Sequence, residues 1–506
     1  MADTKTTPNV TDEKVGSSIA GTKDTGLNVL LDAEVTTGEG QTIDFHENKK
    51  LLRKLDMVLM PLILGTWLVQ CLDKATLGTA AIFNIIEDAN LVKNEFSWLS
   101  SLFYVGWIAW EYPSNLLLQR FPVAKTLAIT VIAWGAVLMC HAAGHNFGSL
   151  AAVRVFLGAL EAGCNPACMI LFGMFYTREE QPLRMGIWIG FGGIANILSG
   201  IIGYGIGHVT GPLSVWKVMY LVYGGFTVLW GAILWLCLPD SPMKARFLKE
   251  HERKAVILRI ASNGAGVGNK QWKKQQFIEA IKDVKSWLFF ALSLVINAPT
   301  GVFMNFQGLI IKSLGYSGLQ TTLMTMPSGA FWLIGCTGAS YFATRYKNFR
   351  IAMSLVFILP FFAGIIGLRV LDDSNPWGRL VSLWLCFFFA SPYGIGMALV
   401  NANTAGHTKR ITTNAMFIIG AGIGSFIGPF FFDSRQAPYY TLGFNFMFAT
   451  FSIEVVILAA LFYVLWRRNQ AKRSARGGAD ADAWAGKQSG FLDETDIENK
   501  DFVYVY

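Results

Sequence analysis

The chain has 506 residues, 53% of them hydrophobic and only 15% charged, where soluble domains carry about 25% charged residues. With a mean hydropathy of +0.41, it reads as an all-α membrane protein with many spans, not as a soluble enzyme. The net charge of +8 is read as topology charge on cytoplasmic loops and not as a nucleic-acid surface.

In chain order, residues 1–50 are polar and rich in Thr, Gly, Asp and Lys, which predicts a disordered cytoplasmic tail. No cleavable signal is expected there, so the first span must act as the insertion signal. The one N-glycosylation sequon, Asn9-Val10-Thr11, falls in that tail and goes unused if the tail is cytoplasmic. Apolar windows predict twelve spans, starting near Asp56, Phe96, Val123, Gly148, Pro182, Val215, Trp287, Leu319, Phe349, Gly378, Thr408 and Thr441. The division is a six-helix bundle over 51–238, a loop over 239–285, a second six-helix bundle over 286–467 and a cytoplasmic tail over 468–506. Lys and Arg collect in alternate loops, which places both termini and the central loop in the cytoplasm. Within the loop, Met243–Ile260 and Gln271–Lys285 have amphipathic helical spacing; regulation and plain connection are both open. The seven cysteines lie in or beside apolar stretches and read as small core residues, with no disulfide framework and no metal spacing.

The halves repeat at an offset of about 225 residues: Arg120 and Lys125 match Arg345 and Arg350, Arg154 matches Arg379, and Arg184 roughly matches Arg410. Parallel six-helix repeats about a midplane site describe a rocking transporter. No nucleophile triad, metal cluster or phosphate loop is evident, so an enzyme is not expected, nor is a cofactor.

Charges inside spans are costly and mark candidate sites. Arg154 and Glu161 are seven residues apart in span four, two helical turns on one face. Asp73 and Lys74 interrupt span one, and the topology puts Asp73 at the depth of Arg154. Desolvation disfavours a carboxylate anion at mid-membrane, so Glu161 is the expected proton carrier. Asn165 lies one turn deeper, and Pro166 frees a backbone carbonyl inside the bundle. Tyr104, Asn196, Gln307 and Tyr393 are at depths that suit a cavity wall. Glu111 reads as a gate latch for a loop Arg or Lys. Glu454, near the centre of the last span, is read as structural or as facing another subunit. Gly-rich runs in spans five and eleven suit close, sliding helix contacts.

Several motifs resemble the anion:cation symporter branch of the major facilitator superfamily, and within it the fungal allantoate permease group. They are Leu72-Asp73-Lys74-Ala75-Thr76-Leu77, Tyr104 with Glu111-Tyr112-Pro113-Ser114-Asn115, and Arg154 through Glu161 with Pro166. Arg178-Glu179-Glu180-Gln181-Pro182-Leu183-Arg184, Gly406-His407-Thr408-Lys409-Arg410, Gly428-Pro429 and Ala437-Pro438-Tyr439-Tyr440 follow, with the tail from Glu494 to Tyr506. The superfamily's acidic loop signature is altered, to Asn115-Leu-Leu-Leu-Gln119-Arg120 and Ser340-Tyr-Phe-Ala-Thr344-Arg345. The Arg survives in each, so Arg120, Lys125, Arg345 and Arg350 remain gate candidates with altered partners.

The resemblance implies symport of a small carboxylate with a proton, across the plasma membrane and as a monomer. Allantoate, ureidosuccinate and carboxylate vitamins are the candidate substrates. Asp73 and Glu161 are expected to couple protons, and Lys74, with or without Arg154, to bind the substrate carboxylate. Arg154 is expected to pair with Asp73 when substrate is absent. The rival readings are export of an acidic metabolite and a sensor that binds with little flux.

Overall fold

The structure, a computed structural model, describes residues 45–177, 180–261, 272–372, 374–432, 436, 439–475, 494–500 and 502–506. The N-terminal stretch through residue 44, Arg178 with Glu179, and Ala437 with Pro438 lie outside the described residues. Among the described residues the regular structure is helical.

Twelve long helical segments follow in order. They are α1 (Asn48–Ile82), α2 (Glu95–Arg120), α3 (Val123–Ala143), α4 (Phe147–Phe175), α5 (Leu183–Ile206) and α6 (Val215–Cys237), then α7 (Val284–Ser313), α8 (Met326–Arg345), α9 (Arg350–Val370), α10 (Pro376–Asn403), α11 (His407–Phe431) and α12 (Thr441–Ser474). Ten are long and apolar enough to cross a membrane. The other two, α2 and α8, hold the same place in each half. Both carry hydroxyl groups that bond across the line between the halves. Ser97, Ser100 and Ser101 of α2 reach carbonyls of Phe432, Gly301 and Phe426, and Ser328 of α8 meets Asn196. Their lower apolarity reflects a face turned to protein instead of lipid.

The sequence repeat shows in the local geometry. α4 is interrupted directly after Glu161, between Phe147–Glu161 and Cys164–Phe175. Pro166 lacks an N–H, and its ring would clash with the carbonyl four residues back, at Ala162. In α10 a tighter turn, Cys386–Ala390, precedes Ser391–Asn403, and Pro392 stands where Pro166 does in α4. Both interruptions fall near mid-span, where irregular backbone is tolerated only inside protein or beside a cavity.

Glycines set the close approaches. Within the first half, a Cβ at Gly106 or Gly158 would collide with a carbonyl of the facing helix, Val155 or Phe103. Between the halves, Gly193 of α5 and Gly329 of α8 face each other so closely that a Cβ on either would strike the other's carbonyl oxygen. Small residues at such crossings let backbones touch. At the ends of the helices away from the termini, Lys312 donates to the Ile82 carbonyl at 3.2 Å, and Trp98 packs edge-on against Phe430 at 4.8 Å. Phe96 packs on Phe306 at 5.3 Å. The two halves are therefore drawn together at the face opposite the termini. Gly329→Val should pry α5 from α8 and favour the arrangement open at that face. Spin labels at Asn84 and Gly315, in a background without the exposed Cys140 and Cys237, should then report longer distances than in the parent.

The two loop helices dock separately. Glu250–Ala261 sits on the first half, where Lys54 pairs with Glu252 at 2.6 Å and Arg259 with Glu180 at 2.5 Å. Lys274–Lys282 sits on the second half, where Lys409 pairs with Glu279 at 2.8 Å and the Thr408 amide donates to Gln276.

The last residues are not a free tail. Asp496 is buried and ion-paired with Lys285 of α7 at 2.6 Å and with Lys409 of α11 at 2.8 Å. Tyr504 donates to the same carboxylate at 2.9 Å. The Asn403 side chain bonds both ways with Val505, and the Asn469 side chain does so with Tyr504. Asp283 completes the cluster, held by Arg468 of α12 at 2.6 Å and Lys409 at 3.0 Å. This strap joins the ends of α7, α10, α11 and α12. Within the expected cytoplasmic tail over 468–506, Asp496 gives Lys285 and Lys409 a buried counter-charge.

Burial alone would push the Asp283 carboxyl up. Its hydrogen bonds from Arg468 and the ammonium groups of Lys285 and Lys409 outweigh burial and hold it well below the usual carboxylate range. Burial also opposes ionisation of Asp496, and Lys285 and Lys409 again win, leaving it low. Carboxyls depressed in the folded state lend stability above their unfolded value of about 4 and lose it as pH falls below that. Asp496→Asn should lower stability by about 3–5 kcal/mol, since it leaves buried ammonium groups short of a partner. Thermal unfolding in detergent measures this, and the variant's melting temperature should fall less steeply below about pH 4 than the parent's.

Candidate substrate and coupling site

A cavity of about 100 Å³ lies between the halves near mid-depth. Its wall draws on both: Trp67, Cys71 and Lys74 from α1, Phe103, Tyr104 and Trp107 from α2, Asn165 from α4, Ile296, Asn297, Thr300 and Met304 from α7, and Trp332, Phe389, Tyr393 and Ser425 from α8, α10 and α11. Of the expected substrate residues, Lys74, Tyr104, Asn165 and Tyr393 line it.

Lys74 is the one charged side chain in that wall among the described residues. Its Nζ lies 5.7 Å from the ring centre of Trp67 and 5.5 Å from that of Phe103. Behind it, 3.7 Å away, is Oε2 of Glu161, whose side chain is fully buried. That separation is an ion pair but too long for a hydrogen bond. Neither Glu161 oxygen has a hydrogen-bond partner, and the buried Gln70 amide one turn before Lys74 has none either. Glu161 is thus not alone, as its sequence position suggests; it is held loosely by the cation that faces the cavity.

Asp73 goes elsewhere. Successive helical residues point about 100° apart, so Asp73 faces α3 and α6 while Lys74 faces the cavity. Asp73 accepts from Trp134 Nε1 at 2.7 Å and from Thr227 Oγ1 at 3.1 Å. The expected pair with Arg154 is not formed. Arg154 donates to the Tyr220 hydroxyl at 2.9 Å, and Tyr220 is stacked on His141 at 4.5 Å. Arg154 is buried and does not line the cavity. Its repeat counterpart Arg379 lies against the Tyr439 ring at 5.6 Å, and the buried Cys386 stands where a second Glu161 would be.

Asn196 and Gln307 do not line the cavity either. Both donate to Ser328 Oγ, at 2.9 and 2.6 Å, and so stitch α5 and α7 to α8. The gate candidates also bond within their own halves. Glu111 accepts from Asn115 at 3.3 Å, because the helical i,i+4 neighbour is nearer than any loop cation. Lys125 donates to the Trp235 carbonyl at 2.5 Å and Arg350 to the Ala398 carbonyl at 3.2 Å. Arg120 and Arg345 are exposed. Glu454 is buried inside the second half with one oxygen unpartnered.

Residues 62–429, most of the chain, match the Major Facilitator Superfamily. The chain belongs to that superfamily. A transporter of Schizosaccharomyces pombe, described only as uncharacterized, is 32% identical over 98% of this chain and 96% of its own. Allantoate permease of Saccharomyces cerevisiae is 30% identical over 91% of this chain and 87% of its own. The solved D-xylose-proton symporter overlays with a TM-score of 0.58 at 13% identity, over 80% of this chain and 97% of that one. That likeness carries the fold alone. As a major facilitator, the chain is a multi-pass integral membrane transporter.

Sequence reasoning missed the walls contributed by Trp107, Asn297, Trp332 and Phe389, because aromatic residues in a span look the same facing lipid, core or cavity. It also missed Trp134, Thr227 and Tyr220, whose polar atoms sit on otherwise apolar helices. The bidentate clamp of Arg184 on Asp56, at 2.7 Å on each arm, joins the heads of α1 and α5. Its signal was present, since Asp56 opens the first span and Arg184 the fifth.

Proposed function

We propose that the chain carries a small organic anion together with a proton, by alternating access. The observation that carries this is the shared position of Lys74, with the cavity on one side and Glu161 on the other. Glu161 takes a proton and releases Lys74. The substrate carboxylate then replaces Glu161 as the counter-charge of Lys74. Loading adds no net charge to the site, which suits passage through a low-dielectric interior. Loss of the proton restores the Lys74–Glu161 pair and expels the anion. Asp73 supports this by anchoring α1 to α3 and α6. Arg154 acts as a fixed positive charge within the first half.

The halves touch at the face opposite the termini and, through Gly186 of α5 against Ser340 of α8, toward the termini as well. With the termini in the cytoplasm and uptake as the direction of transport, the chain works as a plasma-membrane importer. The driving force is the proton gradient, no cofactor is required, and the monomer is the working unit. The name of the allantoate permease relative supports an organic anion as the cargo class. Purified protein in liposomes should concentrate a labelled organic acid when the outside is made acidic. Equal uptake with and without the pH gradient would remove the proton from the scheme.

A further inference from the structure

We infer that the cavity is built for a flat, single-ring aromatic or heteroaromatic monocarboxylate. This rests on the organic-anion reading above and narrows it.

The charge count sets the first limit. Lys74 is the one cation in the described wall. Arg154 and Arg379 stand outside the wall, against Tyr220 and Tyr439. A second carboxylate in the cavity would touch no second cation in that wall, and burying a charge without a partner is costly. The wall therefore matches a single carboxylate.

The walls set the second limit. Trp67, Trp107, Trp332, Phe389 and Tyr393 present rings to the cavity. The Lys74 ammonium lies near the rings of Trp67 and Phe103, so a carboxylate bound to it brings the rest of the ligand among aromatic rings. Stacked or edge-on aromatic pairs add about 0.5–1.5 kcal/mol beyond area burial. Polar capacity is sparse. Asn297 donates to the Ser293 carbonyl, and Ser425 to the Asn297 carbonyl. The buried lining atoms left without partners are two donors, Trp107 Nε1 and Trp332 Nε1, and one acceptor, Asn165 Oδ1. Those suit a carboxylate oxygen and one or two heteroatoms on a ring. A chain of ureido groups brings more donors than that one unpartnered acceptor takes, and each donor left unsatisfied costs about 1–3 kcal/mol.

Size sets an upper limit: at about 100 Å³ the cavity is smaller than the dry cavity of about 150 Å³ that holds benzene, which leaves no room for more than one ring.

The test uses purified full-length protein and six probes, with thermal stabilisation and equilibrium binding as readouts. Benzoate and nicotinate carry ring and charge. Cyclohexanecarboxylate keeps the charge without the π system, and nicotinamide keeps the ring without the charge. Allantoate and ureidosuccinate are the polar alternatives. Benzoate or nicotinate should bind about threefold to tenfold more tightly than cyclohexanecarboxylate, and nicotinamide should not bind. Trp332→Leu should erase the ratio while cyclohexanecarboxylate still binds. If allantoate, ureidosuccinate or cyclohexanecarboxylate binds as well as the aromatic acids and depends on Lys74, the ring inference is overturned and the anion reading stands. If nicotinamide binds as well as nicotinate, the anion reading itself fails. Binding by none of the six overturns the ring inference.

Discussion

Glu161→Gln should abolish accumulation driven by a pH gradient while leaving exchange of substrate for substrate intact. The amide resembles the protonated acid in shape and charge, so Lys74 stays free for the anion at every pH. In the parent, raising the pH deprotonates Glu161 and returns Lys74 to it, so apparent anion affinity falls as pH rises. In the variant that dependence should vanish. Uphill uptake should drop to the equilibrated level, and counterflow should remain near the parental rate. The two readouts separate coupling from binding, because a misfolded or blocked carrier would lose both. Uphill uptake at the parental rate would contradict the role given to Glu161.

Lys74→Gln should have the second large effect. Charged hydrogen bonds contribute about 1.5–3 kcal/mol, so the apparent KM for an anionic substrate should rise on the order of tenfold to a hundredfold. The substitution also strands Glu161, which is fully buried and whose ion-pair contact is 3.7 Å from Lys74 Nζ. Removing one member of a buried pair costs about 3–5 kcal/mol when the survivor stays charged. Melting temperature should therefore fall in Lys74→Gln and recover in the double variant with Glu161→Gln. Transport should not recover with it. That cycle distinguishes substrate binding from structural support. An unchanged KM would take Lys74 out of the site.

Charge legibility explains what the sequence could tell. Asp73, Lys74, Arg154 and Glu161 stand out because a charge in an apolar span is expensive, and all four belong to buried or cavity-facing positions. Their pairing was not legible. Helical spacing fixes which residues share a face, but the partner of each face depends on how helices distant in sequence are arranged. Asp73 meets Trp134 and Thr227, 61 and 154 residues away, and Arg154 meets Tyr220, 66 residues away. No local pattern encodes those meetings. The break after Glu161 was legible from Pro166, since the ring acts on the carbonyl four residues before it. The C-terminal strap was legible only as a resemblance in the segment from Glu494 to Tyr506. Its reason lies in Lys285 and Lys409, basic residues at the heads of apolar helices that Asp283 and Asp496 neutralise.

The exchange of Glu161 for a substrate carboxylate at Lys74 has a direct signature in proton release and uptake. Purified carrier in a weakly buffered solution, mixed with a saturating organic acid anion that binds it, should take up protons, with the number per bound anion rising toward one as the starting pH is raised. Glu161→Gln should bind the same anion with no proton uptake. Anion binding to the parent with no proton uptake, or equal uptake in both proteins, would contradict the exchange at Lys74.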